Sequence, residues 1–415
     1  MTLRWIAFIE SNTSGTGRLF ARAAIDQGLR PVILSADVAR YDFVECDGLD
    51  SRRVDTDDIE ALVAACRGLV PLGTLVGVTS SSEYFVAMAA AVARRLGLPG
   101  ADPDAIRECR DKWKQCLRLQ AAGVGVPQFH VAASGPAAAE AALEIGLPVV
   151  VKPVSGSGSV GVKLCERAAD ASTHATALLR EEHNERGQLL PRYVLVEQLI
   201  AGPEYSVETM GTNVIGITSK RLGPRPHFVE IGHDFPALLS AREDKIILQT
   251  AHDALTALKL GWGPAHIEIR LGSGGPKIIE VNPRLAGGFI PELVLLACGI
   301  DMIAEAIRQV SGGTPHLERT RRRYASLRFI LAPEDGVLSA CSNLDAAAQV
   351  AGVVEACMYL QAGEPLSSRG DFRDRVGHII AVGETSEIAQ ESVNQAHAEV
   401  NLVVEPAAKA ETGES

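Results

Sequence analysis

The sequence predicts a chain of several domains, doubly wound α/β at its start and mixed α+β beyond. Three observations carry this. Residues 5–9 (Trp-Ile-Ala-Phe-Ile), a turn at 14–17, an amphipathic stretch at 18–27 and an apolar run at 31–34 follow one another in β-turn-α-β order, as doubly wound sheets begin. An apolar strand at 147–153 carries Lys152 into a Gly/Ser-rich loop and on to a second strand. Around residue 275, two alternating segments flank Leu-Gly-Ser-Gly-Gly-Pro, the pattern of a β-hairpin. At 415 residues the chain exceeds one ordinary core and fits two or three domains.

The bulk numbers narrow the class of function. A net charge of −11, with no basic block longer than Arg321-Arg322-Arg323, disfavours binding to nucleic acid or an anionic membrane surface. Eight scattered cysteines without a C-x-x-C pair argue against a zinc site or a disulfide framework and fit a cytoplasmic protein. The first ten residues do not read as a signal peptide, and no apolar run approaches the ~18 residues of a membrane span. The Ala/Glu/Gly/Ser/Thr-rich end, 406–415, is expected to be a flexible tail.

After the opening β-turn-α-β unit, 75–79 reads as a further strand, and Ser80-Ser-Ser-Glu83 opens an Ala-rich helix running to 96. Ligands gather at the C-terminal ends of such strands, which turns Glu10, the loop after it and Glu83 toward a crevice. The dinucleotide fingerprint is broken. Gly15-x-Gly17 is followed by Phe20 in place of the third glycine, and no suitable acid follows, so an NAD-binding oxidoreductase is disfavoured. Near residue 100 the character shifts. Residues 104–123 read as one helix carrying Asp111-Lys112, and 137–145 as another stopped by Gly146. Residues 168–186 read as a helix, 193–198 as a strand, 207–219 as a hairpin and 248–260 as a helix. From about 325 the pattern changes again, with strands at 326–332 and 376–382 and a helix at 344–350.

Three segments carry candidate chemistry. In the hairpin, pairing about Gly274 sets Glu268 opposite Glu280 and His266 opposite Asn282, with Arg270 and Arg284 on the same face. Carboxylates that close repel unless a proton or cation lies between them. With an amide oxygen beside them they suit magnesium, and the plain alternative is a solvated charged face. The loop Ser155-Gly156-Ser157-Gly158-Ser159-Val160 can turn backbone N–H groups toward phosphates, or can be a flexible hairpin tip. It is not a Walker A loop, because a strand follows instead of a helix. Lys152 tells against the plain reading, since a lysine within an apolar strand usually has an anionic partner. The strand 194–198, ending Glu197-Gln198-Leu199-Ile200, can serve as an adenine slot. Glu204, which alternation places on one face with Ser206 and Glu208, can bond ribose hydroxyls or face solvent.

In this order and spacing, Lys112, Lys152, the Gly loop, Glu197-Gln198, Glu204 and Glu268…Glu280-x-Asn282-x-Arg284 resemble the ATP-grasp superfamily over about residues 1–310. The resemblance implies a two-part clamp that holds ATP. Lys112 and Lys152 would lie on its phosphates, residues 155–160 over them, and Glu197, Gln198, Leu199 and Glu204 around the nucleoside. Glu268, Glu280 and Asn282 would hold two Mg²⁺ ions, with Mn²⁺ as a substitute. The stretches Lys220–Ala237 and Asn282–Gly288, with Val376–Thr385, further resemble the L-amino-acid ligases. That implies amide or peptide bond formation through an acyl phosphate, with release of ADP and phosphate, from small-molecule carboxylate and amine substrates. Glu230, His233, Arg284 and Gly287 would meet the substrates, Glu83 a substrate ammonium, and Arg284, Glu230, His233 and Lys152 would serve the chemistry. Gly288 stands where some members carry a bulky aromatic, and Phe289 can refill that space. His233 is equally readable as a structural histidine.

The expected division is an N-terminal domain at 1–100, a small clamp subdomain at 101–190, a large one at 191–320 and a small C-terminal α/β domain at 321–405. Relatives of this kind are often dimers, which leaves a homodimer open. The competing readings are an ATP-grasp carboxylase or purine-pathway ligase, which shares the nucleotide half, and a non-catalytic ATP-binding regulator.

Overall fold

The computed structural model describes residues 3–13 and 15–406; Ser14 of the expected turn and residues 407–415 of the expected tail lie outside them. The N-terminal sheet is parallel, with its strands in the spatial order Asp50–Arg53, Arg30–Ser35, Arg4–Ile9, Thr74–Thr79. The helices Thr16–Asp26 and Val86–Leu96 flank it. The second helix starts later than expected, because residues 80–85 form a turn in which Ser80 Oγ accepts the Ser82 N–H. Glu10 ends the first strand at φ 52°. Its carboxylate accepts hydrogen bonds from Ser35 Oγ (2.9 Å), the Ala36 N–H (2.8 Å), Thr56 Oγ1 (3.0 Å) and Tyr41. Glu10 is therefore taken up within its own sheet, not offered to the crevice.

A small antiparallel sheet follows, in the order Phe129–Ala132, Val194–Gln198, Val149–Pro153, Lys163–Cys165. The helices Gly135–Ile145 and Ala168–Arg180 pack on each other and on it. The expected helix to 186 stops at Arg180, and Arg186 instead reaches from the following loop to the Ser11 carbonyl at 2.9 Å. The single helix expected at 104–123 is two, Pro103–Arg110 and Lys112–Ala121. Asp111 leaves helical geometry (φ −91°, ψ 105°), and its carboxylate accepts the N–H groups of Trp113 and Lys114. Such a cap contributes about 1 kcal/mol, enough to favour a new start over a continuous turn. The break makes Lys112 the first residue of a helix, on an end that faces the Gly loop.

The largest sheet has eight strands, ordered Gly275–Asn282, Pro264–Gly272, Glu204–Met210, Asn213–Leu222, Glu230–Phe235, Tyr324–Leu331, Arg375–Gly383, Val353–Met358. The hairpin register is as the alternation implies, His266 opposite Asn282 and Glu268 opposite Glu280. A bulge after Glu268 then absorbs one residue, so that Arg270 pairs with Lys277. The helix expected at 248–260 begins earlier, at Ala241. A capping box between Ser240 and Glu243 starts it in a polar first turn that apolar periodicity does not reveal. The C-terminal segment thus adds three strands to the sheet that holds the hairpin, and it carries a separate three-stranded sheet of its own. One apolar cluster joins Phe8 and Phe20, Leu293 and Val294, and Leu327, Phe329 and Ile380, packing the beginning, middle and end of the chain together.

Candidate active site

Two lysines meet the Gly loop and the hairpin. Lys152, 4 % exposed, donates from Nζ toward the Ile279 carbonyl (3.4 Å) and pairs with Glu197 at 2.6 Å. Burial works to discharge this ammonium; Glu197 more than offsets it and holds its pKa above the ordinary value. Lys112 donates to the Gly156 carbonyl at 2.7 Å and pairs with Glu280 at 3.0 Å. Its helix is clamped to the hairpin by Gln115, whose side-chain amide donates to the Val281 carbonyl and accepts the Val281 N–H, both at 2.8 Å. Gln115 was not legible as a site residue, since its partner lies 166 positions away.

The hairpin acids are compensated by cations from other strands. Lys220, its side chain 2 % exposed, reaches Glu230 (2.5 Å), Glu268 (2.8 Å) and Glu204 (3.0 Å). Burial opposes the charge of Glu268, but Lys220 and His266 outweigh it and hold the carboxyl well below the usual range. Arg270 pairs with Glu204 at 2.8 Å, so Glu204 is held from two sides. His266 lies between Glu208 (2.9 Å) and Glu268 (3.1 Å). Burial works against its charge, and the two carboxylates raise its pKa from 6.5 to about 9. The stability this charge adds is complete below 6.5 and is lost as the pH rises through about 9. A histidine-resolved NMR titration of the nucleotide-free protein is expected to place this ring near 9, well above an ordinary histidine; a midpoint near 6.5 would contradict the pairing.

Glu268, Glu280 and Asn282 offer hard oxygen donors from adjacent strands, and ammonium groups already rest against both carboxylates. That donor set fits divalent magnesium.

The Gly loop lies folded over these groups. Gly156, Gly158 and Ser159 have φ of 108°, 67° and 62°, the left-handed geometry that the small residues permit. Ser159 Oγ donates to the Phe228 carbonyl at 3.0 Å, and the Phe372 N–H donates to the Gly158 carbonyl at 3.2 Å. A Cβ on Gly158 would approach the Phe372 ring. Beneath the loop, Val150, Leu199, Ile200, Phe228 and Ile279 supply an apolar slot, and Ser157 and Ser159 line its mouth. Glu197 does not face this slot freely, since Lys152 holds it, and the Gln198 N–H is spent on the Gln128 carbonyl.

Next to the slot opens a cavity of about 1640 Å³, lined by Glu83, Glu230, Arg284, Gly287, Gly288 and Arg375 among others. Arg284 pairs with Glu83 through Nη2 (2.6 Å) and Nε (2.8 Å). Burial raises the Glu83 carboxyl, and Arg284 with Lys112 and Arg110 lowers it further, so it remains ionised. Glu230 pairs with Lys220 and with Arg375 (2.8 Å), and these hold it well below the usual range against its burial. His233 is fully buried, which pushes its pKa down to about 3. Its Nε2 lies 3.5 Å from Glu230 without a hydrogen bond to any described residue. Gly287 has open space where a side chain would begin. At Gly288, with φ +60°, a Cβ would lie 2.7 Å from the His233 ring. Phe289 partly fills that side and stacks on His378 with centroids 4.1 Å apart.

Almost every residue singled out in the sequence thus converges on this pair of adjoining spaces. The sequence reading missed Lys220, Gln115 and Arg375 as members, and it placed His266 and Arg270 on the hairpin face without a role. For Lys220 a signal existed, a lysine in an apolar strand, the same one that marked Lys152.

Comparison with known proteins accords with this geometry. Residues 145–292 match the ATP-grasp domain, and residues 328–405 match the L-amino acid ligase C-terminal domain 2. The uncharacterized protein y4rH of Sinorhizobium fredii is 38% identical over 97% of this chain and 84% of its own length. Human carnosine synthase 1 is 26% identical over 77% of this chain, which spans only 41% of that longer protein. The crystal structure of L-amino acid ligase from Bacillus licheniformis superposes with a TM-score of 0.78 at 21% identity, over 98% of this chain and 100% of that one. No helix among the described residues is long and apolar enough to cross a membrane. The chain belongs to the ATP-grasp superfamily of ATP- and magnesium-using ligases, in the group that carries the L-amino-acid ligase C-terminal domain.

Proposed function

We propose that the protein is an ADP-forming ligase that joins the carboxyl group of one amino acid, or amino-acid-like acid, to the amine of another through an acyl phosphate. The observation that carries this is the continuity of one stretch of chain, the end of the hairpin strand and the bend after it. Glu280 and Asn282 stand at the nucleotide slot, and two residues on Arg284 reaches the cavity, where it pairs with Glu83. An Arg–Glu pair on a cavity wall is the complement of a zwitterion, whose carboxylate would take Arg284 and whose ammonium would take Glu83.

In this reading Leu199, Ile200, Val150, Phe228 and Ile279 hold the adenine, and Glu204 the ribose. Lys112, Lys152 and the N–H groups of Ser155–Val160 hold the phosphates. Glu268, Glu280 and Asn282 would bind two magnesium ions, which when bound neutralise charge on the transferring phosphoryl group. Arg284 holds the carboxylate in line with the γ-phosphate and then steadies the oxyanion as the amine attacks. Glu230 is engaged by Lys220 and Arg375, whereas His233 is uncharged and has a free ring nitrogen. His233 is fully buried 3.5 Å behind Glu230, so Glu230, which lines the cavity, is the group that meets the amine, and His233 can take the proton only through it. The Gly loop, held down on Phe228 and Phe372, keeps water from the acyl phosphate. Eight free cysteines suit a cytoplasmic setting. A carboxylase or purine-pathway ligase would use the nucleotide half but gives the Glu83–Arg284 pair no role.

The test is ADP release with Mg²⁺-ATP over a panel of amino-acid pairs, with amide products read by mass spectrometry. Amino-acid-dependent ADP formation with a matching amide is expected. No stimulation by any amino acid would overturn the amino-acid reading.

A further inference from the structure

The C-terminal segment brings a second group of metal-ligating side chains to the cavity. Cys357 on the edge strand Val353–Met358 pairs directly with His378 on Arg375–Gly383, and Glu355 lies two residues before Cys357 on the same face. A carboxylate oxygen of Glu355, the Sγ of Cys357 and a ring nitrogen of His378 all lie within 4.8 Å of one another. His378 is only 1 % exposed and its ring is pinned. Nδ1 shares a 3.0 Å hydrogen bond with the Tyr359 hydroxyl, and one ring face stacks on Phe289. Its Nε2 is buried, has no hydrogen-bond partner among the described residues, and lies 3.4 Å from Glu355 Oε1. Nothing in the ATP-dependent chemistry uses this trio.

We propose that Glu355, Cys357 and His378 bind a divalent transition-metal ion of the zinc type, through the carboxylate, the thiolate and Nε2, at a site separate from the magnesium hairpin. Sulfur and imidazole donors select zinc or cobalt over magnesium, and three protein ligands leave a fourth position for water or a donor group on a bound molecule. Glu355 and Tyr359 line the cavity, so that fourth position opens on the substrate space. Tyr359 is the outer partner that a metal-bound histidine commonly has on its other nitrogen, fixing the tautomer and the ring. Burial keeps the free His378 ring neutral and the free Cys357 thiol protonated, so binding displaces one proton from sulfur to solvent. An occupied site would tie the edge strand to its neighbour and fix the wall formed by Tyr359 and Phe289. This inference is independent of the proposed ligase reaction.

The experiment is a Co²⁺ titration of the full chain, freed of metal by chelator, without nucleotide. A saturable one-to-one response is expected, with visible d–d bands and a near-ultraviolet thiolate charge-transfer band. Zn²⁺ should abolish it, and Mg²⁺ in large excess should not. Cys357→Ser should lose the charge-transfer band, and His378→Gln and Glu355→Gln should each weaken binding at least tenfold, with circular dichroism confirming that the variants fold. Absence of a saturable charge-transfer band in the unaltered protein would overturn the proposal whatever the variants do. So would its persistence in Cys357→Ser, since another cysteine would then carry the ion.

Discussion

Glu280→Gln is expected to lower ADP formation about a thousandfold, roughly 4 kcal/mol in the barrier, while leaving a folded protein. The substitution keeps the shape of the side chain and removes its charge. Glu280 is partly exposed at the slot, and Lys112 keeps its bond to the Gly156 carbonyl, so the loss falls on metal binding and not on packing. Arg284→Ala, in the bend just past the end of the strand that bears Glu280, has a different signature. It mainly raises the KM of the carboxylate substrate, because Arg284 is held against Glu83 on the cavity wall, whereas Glu280 lines the slot alone. Steady-state ADP assays of both variants separate the two roles, and full activity of Glu280→Gln would show that the hairpin acids hold no essential metal.

Lys220→Met is expected to destabilise the fold by about 3–5 kcal/mol, the cost of breaking a buried ion pair on one side only. Lys220 is the shared cation of Glu204, Glu230 and Glu268, and without it these carboxylates repel across a closed space. Arg270, Arg375 and His266 remain, and each already serves one of them. The deficit depends on pH in a defined direction. Glu230 and Glu268 have folded pKa values depressed below their ordinary 4.5, so the stability they contribute is present above 4.5 and is lost as the pH falls through the depressed values. The variant should fall furthest behind at neutral pH and draw closer to the unaltered protein in acid. Urea unfolding at several pH values measures this, and equal stability at pH 7 would show that Lys220 is dispensable.

The features legible in the sequence were those set by local rules. Alternation and a glycine turn were enough to place Glu268 opposite Glu280 and His266 opposite Asn282. The strand bearing Lys152 and the loop after it could be read from apolar runs and small residues. Where the reading failed, a side chain had overridden the pattern. Asp111 capped a new helix inside what scans as one, and Ser240 with Glu243 began a helix in polar residues. Glu10 stood where a ligand contact was expected, yet hydroxyl and amide donors of its own sheet satisfy it. The counter-ions were the least visible. Lys220 serves acids from three other strands, and Arg375 comes from the far end of the chain to pair with Glu230. Such pairs depend on the order of strands in the eight-stranded sheet, which local periodicity does not encode.

In the proposed reaction a carboxylate oxygen attacks the γ-phosphorus. This step is tested most directly by supplying the acid substrate with ¹⁸O in its carboxyl group and examining the phosphate released with ADP. Each phosphate released should carry one labelled oxygen from the acid. Unlabelled phosphate, or AMP and pyrophosphate as the products, would contradict it.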